Sequence, residues 1–188
     1  MKIVSYPEAD APAHLRVQVV ALQEQAWPSG QPVSPAPSHD PALLPLSVLL
    51  VDDGHVLAAL DILSKEITHD GQRFSAGGLS TVVTDQLYRG KGYGRQLVEA
   101  GRRLIAASGA DLGIFTCDRN LQAFYERAGW THLPGTVLIG GTPDATFPSD
   151  QFDKVTMVSF FSTHAKAFAE SFVGRRVELY PGPVDKLW

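Results

Sequence analysis

The sequence predicts an α/β (α+β) fold: a mixed, mostly antiparallel central sheet of six to seven strands flanked by about four helices. Three observations carry this. Residues 46–84 hold three consecutive apolar runs joined by Asp-Gly turns, a hairpin pattern. Amphipathic helical patterns stand before, between and after the strands rather than in a block of their own. The chain has 188 residues, 44% of them hydrophobic, which suits one domain with a real core and leaves little room for two.

In chain order, residues 2–6 read as a short opening strand. From Asp10 the pattern turns helical: Pro12 suits the first turn, and Leu15, Val19, Leu22 and Ala26 share a face. Pro28 stops that helix, and residues 28–45 hold six prolines among Ser, Gly and Gln, so an irregular loop is expected. Such a loop either walls a binding site or is a plain surface connection. "LSVLLVDDGHVLAALDIL" (46–63) and "EITHDGQRFSAGGLSTVVT" (66–84) give the three strands, the last at roughly 78–84. Leu97, Val98, Gly101, Leu104 and Ile105 then recur at helical spacing, with Glu99, Arg102 and Arg103 opposite, read as a solvated face. "ADLGIFTC" (110–117) is a buried strand. Leu121, Phe124, Tyr125 and Ala128 mark a further helix capped by Gly129. "VLIG" and "DKVTMVSFF" are expected as closing strands around a Pro/Gly-rich excursion at 141–150. Residues 165–177 fit a weak helix or a strand.

Composition excludes several classes. Net charge is −4 and the pI about 5.8, with no basic arm, so no nucleic-acid partner is expected. A single cysteine, Cys117, excludes an internal disulfide framework and a Cys-rich zinc site, and the six histidines show no metal-ligand spacing, so no metal is expected. No leader pattern opens the chain and no apolar run reaches the roughly 20 residues needed to span a bilayer, so the expectation is a cytoplasmic protein with no membrane partner.

The chemistry concentrates at "YRGKGYGRQLVEAGRRLI", residues 88–105. A glycine-rich turn from strand to helix is an anion site. Bare backbone lets a ligand approach, the first helical N–H groups point at it, and the helix dipole adds about half a positive charge. Arg89, Lys91 and Arg95 add full charges, and a pyrophosphate is the natural guest. A nucleoside-triphosphate loop fails, because Asp85 and Gly92 stand where that pattern wants Gly and Ser/Thr. A dinucleotide fingerprint fails too: Gly90, Gly92 and Gly94 give G-x-G-x-G, mid-chain and after antiparallel hairpins.

The third reading comes with a resemblance. "STVVTDQLYRGKGYGRQLVEAGRRL" (80–104) resembles the signature segment of the GNAT N-acetyltransferase superfamily, R/Q-x-x-G-x-G/A after a strand, matched by Arg89, Gly92 and Gly94. "NLQAFYERAGW" (120–130) resembles its second signature, and the order of elements agrees throughout. Residues 61–188 are similar, more loosely, to aminoglycoside 2'-N-acetyltransferases and to nodulation-type N-acyltransferases, through "FYERAGW", "GTPD" and a closing Asp-x-x-Trp. The chain departs from that sub-family in its proline-rich loop and at Ser80.

What the resemblance implies is a single domain, 1–188, with an acetyl-CoA-binding core at 79–130 and no metal. Acetyl-CoA is the cosubstrate, and its acetyl group passes directly to a primary amine of a small molecule, with an aminoglycoside-like polyamine as the first class to consider. A different amine, a peptide, or a catalytically idle CoA-binding module are the alternatives. Expected cofactor contacts are Val82, Val83 and Thr84, whose backbone would pair with the pantetheine arm if that edge is open, then Arg89, Gly90, Lys91, Gly92, Tyr93, Gly94 and Arg95, and Asn120. Tyr125 occupies the superfamily's general-acid position; from spacing alone it is equally a core tyrosine. Related enzymes often carry a carboxylate where Ser80 stands here, so the base is a gap. Asp61, Glu66, His69 and Asp118 are its candidates, although Glu66, His69 and Asp70 flank a hairpin and read as solvated, and Asp118 also reads as a helix N-cap. For a polyamine, Ser80, Asp118 and the Trp188 carboxylate are the expected substrate contacts. The partners expected are the small amine and, in a homodimer, a second copy.

Overall fold

The structure, a computed structural model, describes residues 1–30 and 34–188; the central part of the expected proline-rich loop, 31–33, lies outside them. Strand β1 is Lys2–Pro7, helix α1 Ala13–Ala26, β2 Leu46–Asp52, β3 His55–His69 and β4 Gln72–Thr84. Helix α2 (Tyr93–Ala107), β5 (Leu112–Asp118) and α3 (Gln122–Arg127) follow. Then come β6 (Thr131–Leu133), β7 (Val137–Thr142), β8 (Ala145–Pro148) and β9 (Lys154–Phe160). Two short helices, α4 (Thr163–Ala167) and α5 (Ala169–Phe172), and β10 (Arg176–Glu178) finish the order.

Seven strands form the main sheet in the order β1-β2-β3-β4-β5-β9-β6. The two Asp-Gly turns are two-residue loops with φ positive at both residues, 45° and 78° at Asp53-Gly54, 49° and 72° at Asp70-Gly71. That twist suits antiparallel neighbours and fixes β2-β3-β4 as consecutive hairpins. All pairs in this sheet are antiparallel except β4 with β5, which touch only at Ala76↔Leu112 and Gly77↔Gly113. A Cβ on Gly77 would stand 2.8 Å from the Ile105 side chain, and one on Gly113 2.7 Å from the Trp130 ring. Large side chains thus press on both sides of that rung, and beyond it the strands diverge.

Alternation along β2 sends side chains to two layers. Val48 and Leu50 join Leu97, Val98 and Ile105 of α2, whereas Leu49 and Val51 join Leu15, Val19 and Leu22 of α1. Each such buried leucine adds about 2 kcal/mol of stabilisation. The sheet is therefore covered on both faces, which holds β4 and the head of α2 rigidly.

The remainder differs from expectation. The "VLIG" segment is not in the main sheet but is β7, the centre of a second, three-stranded sheet β10-β7-β8; the edge of the main sheet is taken by the short β6. Residues 165–177 are helix and strand both. They cover the far end of the β3-β4 hairpin, so His69 is buried, stacked on Phe172 at 4.2 Å, with its Nε2 2.8 Å from the Ser171 carbonyl oxygen. The solvated reading of His69 fails because its cover comes from 102 residues away in sequence. Glu66 keeps its expected exposure, 3.6 Å from Arg73 across the hairpin. Arg103 is exposed, but Arg102 is half-buried: its Nε donates to Ser159 Oγ at 2.9 Å and its guanidinium lies over Phe161.

Candidate active site

Beyond the Gly77–Gly113 rung, β4 keeps β3 on one edge and loses β5 on the other. The open edge at Val82, Val83 and Thr84 lines a cavity of about 660 Å³ together with Tyr88 and the whole turn Arg89–Arg95. Helix α2 starts at Gly92, where φ is 82°, a left-handed conformation that favours glycine, and no side chain caps it. The first helical N–H bonded back along the chain is that of Gln96, to the Gly92 carbonyl, so those of Tyr93, Gly94 and Arg95 are not spent inside the helix. Gly94 is buried against Thr84; a Cβ there would meet Thr84 Oγ1 at 2.8 Å. Exposed cations ring this cradle: Arg89 donates to the Thr84 carbonyl, Lys91 lies 4.6 Å from the Tyr88 ring centroid, and Arg95 stands 3.5 Å from Glu99. Uncommitted N–H groups, bare backbone and cations suit the diphosphate of a coenzyme, and the open strand edge suits its amide arm. Asn120 sits exposed on the turn Arg119–Leu121, and it is Leu121 that lines the cavity.

A second cavity of about 590 Å³ adjoins the first, sharing Val82, Leu121 and Tyr125. Tyr125 is only 6% exposed, set edge-on against Phe115 and Phe124. It is therefore core and cavity wall at once. Burial first, then the neighbouring Cys117 and Asp118, push its phenol well above the ordinary range. Cys117, also on this wall, is pushed up to about 12 by burial and by Asp118, which keeps it a thiol.

Ser80, Asp118 and Trp188 all line this second cavity, but two of them differ from expectation. Asp118 stands at the N-cap position of the turn Arg119–Leu121, but its side chain makes no capping hydrogen bond. It lies opposite Lys154 in the β5-β9 register and forms an ion pair with it at 2.6 Å. Trp188 presents a buried indole: its N–H donates to the Ile114 carbonyl at 2.9 Å, and the ring lies where a Cβ on Gly78 would be.

Beside this cavity stands a group that the sequence did not disclose. His39, from the proline-rich loop, places Nδ1 2.5 Å from Asp185 and Nε2 3.3 Å from Asp61. Asp61 also accepts from Ser47 Oγ and Thr81 Oγ1, and Asp185 accepts from the Asp40 N–H. Thr81 sits at a bulge in β4 with φ at 49°. Burial alone would lower the imidazole pKa, but its bonds to the two carboxylates and their charges outweigh this and raise it to about 10. Burial would likewise raise Asp61, but His39 and the two hydroxyls lower it. Asp61 is thus a paired carboxylate and a poor base. The loop that brings His39 is itself anchored: the buried Glu8 accepts from Arg16, from Ser38 and from the His39 N–H, and Arg16 donates to the Ala36 carbonyl. Of the two readings of the proline-rich loop, its His39 end walls the site.

Comparison with known proteins places this architecture. The sequence model of the acetyltransferase (GNAT) domain matches residues 13–133. The chain belongs to the GNAT acetyltransferase family and is an N-acetyltransferase by class. Its fold is similar to that of an acyl-CoA N-acyltransferase from Pseudomonas aeruginosa, with 19% identity, a TM-score of 0.57, and 84% of this chain and 97% of that one covered. ElaA of Escherichia coli is similar at 14% identity and a TM-score of 0.60, over 84% and 99% of the two chains. An aminoglycoside 6'-N-acetyltransferase complexed with coenzyme A is similar at 15% identity and a TM-score of 0.58, over 86% and 98%.

Proposed function

We propose that the protein transfers the acetyl group of acetyl-CoA directly to a primary amine of a small molecule, with the coenzyme in the cavity of the glycine turn and the amine in the adjoining one. The observation that carries this reading is Tyr125, the polar side chain that lines both cavities where they meet. Backbone N–H groups of Tyr93, Gly94 and Arg95 bind the diphosphate, with Arg89 and Lys91 beside it, and Val82–Thr84 orient the pantetheine amides. Asn120 is a further contact on the rim.

In the reaction the amine nitrogen bonds to the acetyl carbon and the carbon–sulfur bond breaks. Tyr125 holds its proton at Oη and donates a hydrogen bond to the departing sulfur. A phenol near pKa 10 is a weaker acid than a thiol near 8.5, so full transfer is uphill by about 2 kcal/mol, and burial raises the phenol further. The proton that neutralises the sulfur therefore comes from the amine itself. No side chain on the cavity wall supports a strong base: Ser80 is a hydroxyl, Asp118 is held by Lys154 and Asp185 by His39. A neutral amine is delivered instead. Cys117, a protonated thiol, supports no acetyl-enzyme, so the two substrates meet in one complex.

An aminoglycoside-like polyamine draws support from the resemblance of residues 61–188 and from the fold likeness to an aminoglycoside 6'-N-acetyltransferase. Ser80 and Trp188 remain on the wall that would meet it, whereas Asp118 is engaged. The test is release of coenzyme thiol from acetyl-CoA across a panel of amines. Turnover with at least one amine is expected; coenzyme binding without turnover on any would leave an idle coenzyme-binding module.

A further inference from the structure

The acceptor cavity has an unusual rim. Among the described residues nine large apolar side chains are exposed, and four of them, Trp27, Leu121, Phe152 and Val184, line this one cavity. Trp27 is 53% exposed and Phe152 42%, contributed by the end of α1 and by the loop before β9. Exposed rings are unfavourable in water unless something covers them, and each buries about 150–250 Å² when it is covered.

The side-chain carboxylates on the same wall are paired. Asp118 is paired with Lys154, and Asp185 with His39. Asp61, His39 and Asp185 together keep one formal negative charge, enough to attract one ammonium. The remaining charged side chain, Lys186, is exposed at the mouth with Nζ 5.2 Å from the Phe147 ring centroid, and it forms no ion pair among the described residues. A polycation would bring several ammonium groups to a wall whose carboxylates, apart from the terminal one of Trp188, are already paired and that carries one cation without an ion pair among the described residues. Desolvating each unpaired ammonium is costly.

We propose that the acceptor is a monoamine on an apolar, aromatic body, clasped by Trp27 and Phe152, and that polycationic aminoglycosides are poor ligands of this cavity. This rests on the reading of the second cavity as the amine site, and it names the chemical class that the cavity takes.

Titration calorimetry on the full chain saturated with desulfo-coenzyme A tests it, using phenethylamine, ethylamine and an aminoglycoside with a free 2'-amine. Phenethylamine is expected to bind at least ~10-fold more tightly than ethylamine, and more tightly than the aminoglycoside. Trp27→Ala and Phe152→Ser, both at exposed residues, should each remove most of the phenethylamine advantage while leaving desulfo-coenzyme A affinity unchanged. Equal binding of phenethylamine and ethylamine, tighter binding of the aminoglycoside, or no binding of any amine would overturn the proposal. Turnover is read separately. Selective binding of phenethylamine without thiol release from acetyl-CoA would sink the acetyl-transfer reading and leave the cavity's selectivity standing.

Discussion

The two cavities that meet at Tyr125 are built in opposite ways. The proposed coenzyme side is a run of neighbours, Val82 to Arg95, whose backbone would do most of the binding. The acceptor side is lined by Trp27, His39, Phe152 and Asp185, drawn from four separate segments, of which His39 and Asp185 are joined through their side chains. The first is a local conformation that the chain adopts wherever strand, glycine turn and helix follow one another. The second exists only when the distant segments have docked. Damage to the acceptor side should therefore spread to the whole protein's stability, whereas damage to the coenzyme side should stay local.

The largest effect is expected at His39. Replacing it with Ala leaves the Asp61 and Asp185 carboxylates buried without their cation, which should lower stability by about 3 kcal/mol. It should also raise the acceptor KM with acetyl-CoA affinity intact. The pH dependence gives a second handle. The imidazole pKa is about 10 in the folded protein against about 6.5 unfolded, so its contribution is full below pH ~6.5 and is lost as pH rises through 10. Chemical denaturation across that window should show stability falling with pH in the wild type and a flatter profile in His39→Ala. A mutant with unaltered stability and slope would mean that the acceptor side is not assembled by this clasp.

Next is Tyr125→Phe, at the junction. It keeps the packing against Phe115 and removes the hydroxyl, so kcat should fall by about 100-fold, with acetyl-CoA and acceptor affinity both nearly unchanged. Pre-steady-state thiol release would separate this from a packing defect. Smallest is Lys91→Ala: an exposed cation beside the cradle should cost a few-fold in acetyl-CoA affinity, about 1 kcal/mol or less, shrinking as salt is raised. A rise in the acceptor KM or a fall in stability there would erase the proposed division between the sides.

The same division decided what was legible beforehand. The hairpins, the glycine turn and Tyr125 follow from spacings of a few residues, which Asp-Gly turns, glycines and helical periodicity announce. The Asp118–Lys154 pair needed the β5-β9 register, 36 residues apart. The His39–Asp185 contact spans 146 residues, and nothing near either marks the other. Asp61 was visible as a candidate base, but its burial and its three partners belong to the tertiary structure. His69 looked solvated because its hairpin turn is polar; its cover was the segment whose type the pattern left open.

One edge of β4 carries a consequence of its own. Between Leu79 and Thr84 the strand pairs with β3 at Leu79, Ser80, Val83 and Thr84, on either side of the bulge at Thr81, and its other edge has no strand partner among the described residues. Amide protons along this single stretch should fall into two populations, those turned toward β3 exchanging slowly with deuterium and those turned outward exchanging quickly. A pantetheine chain laid into the gap would slow only the second population, so a footprint confined to the outward amides would report which rungs it has filled.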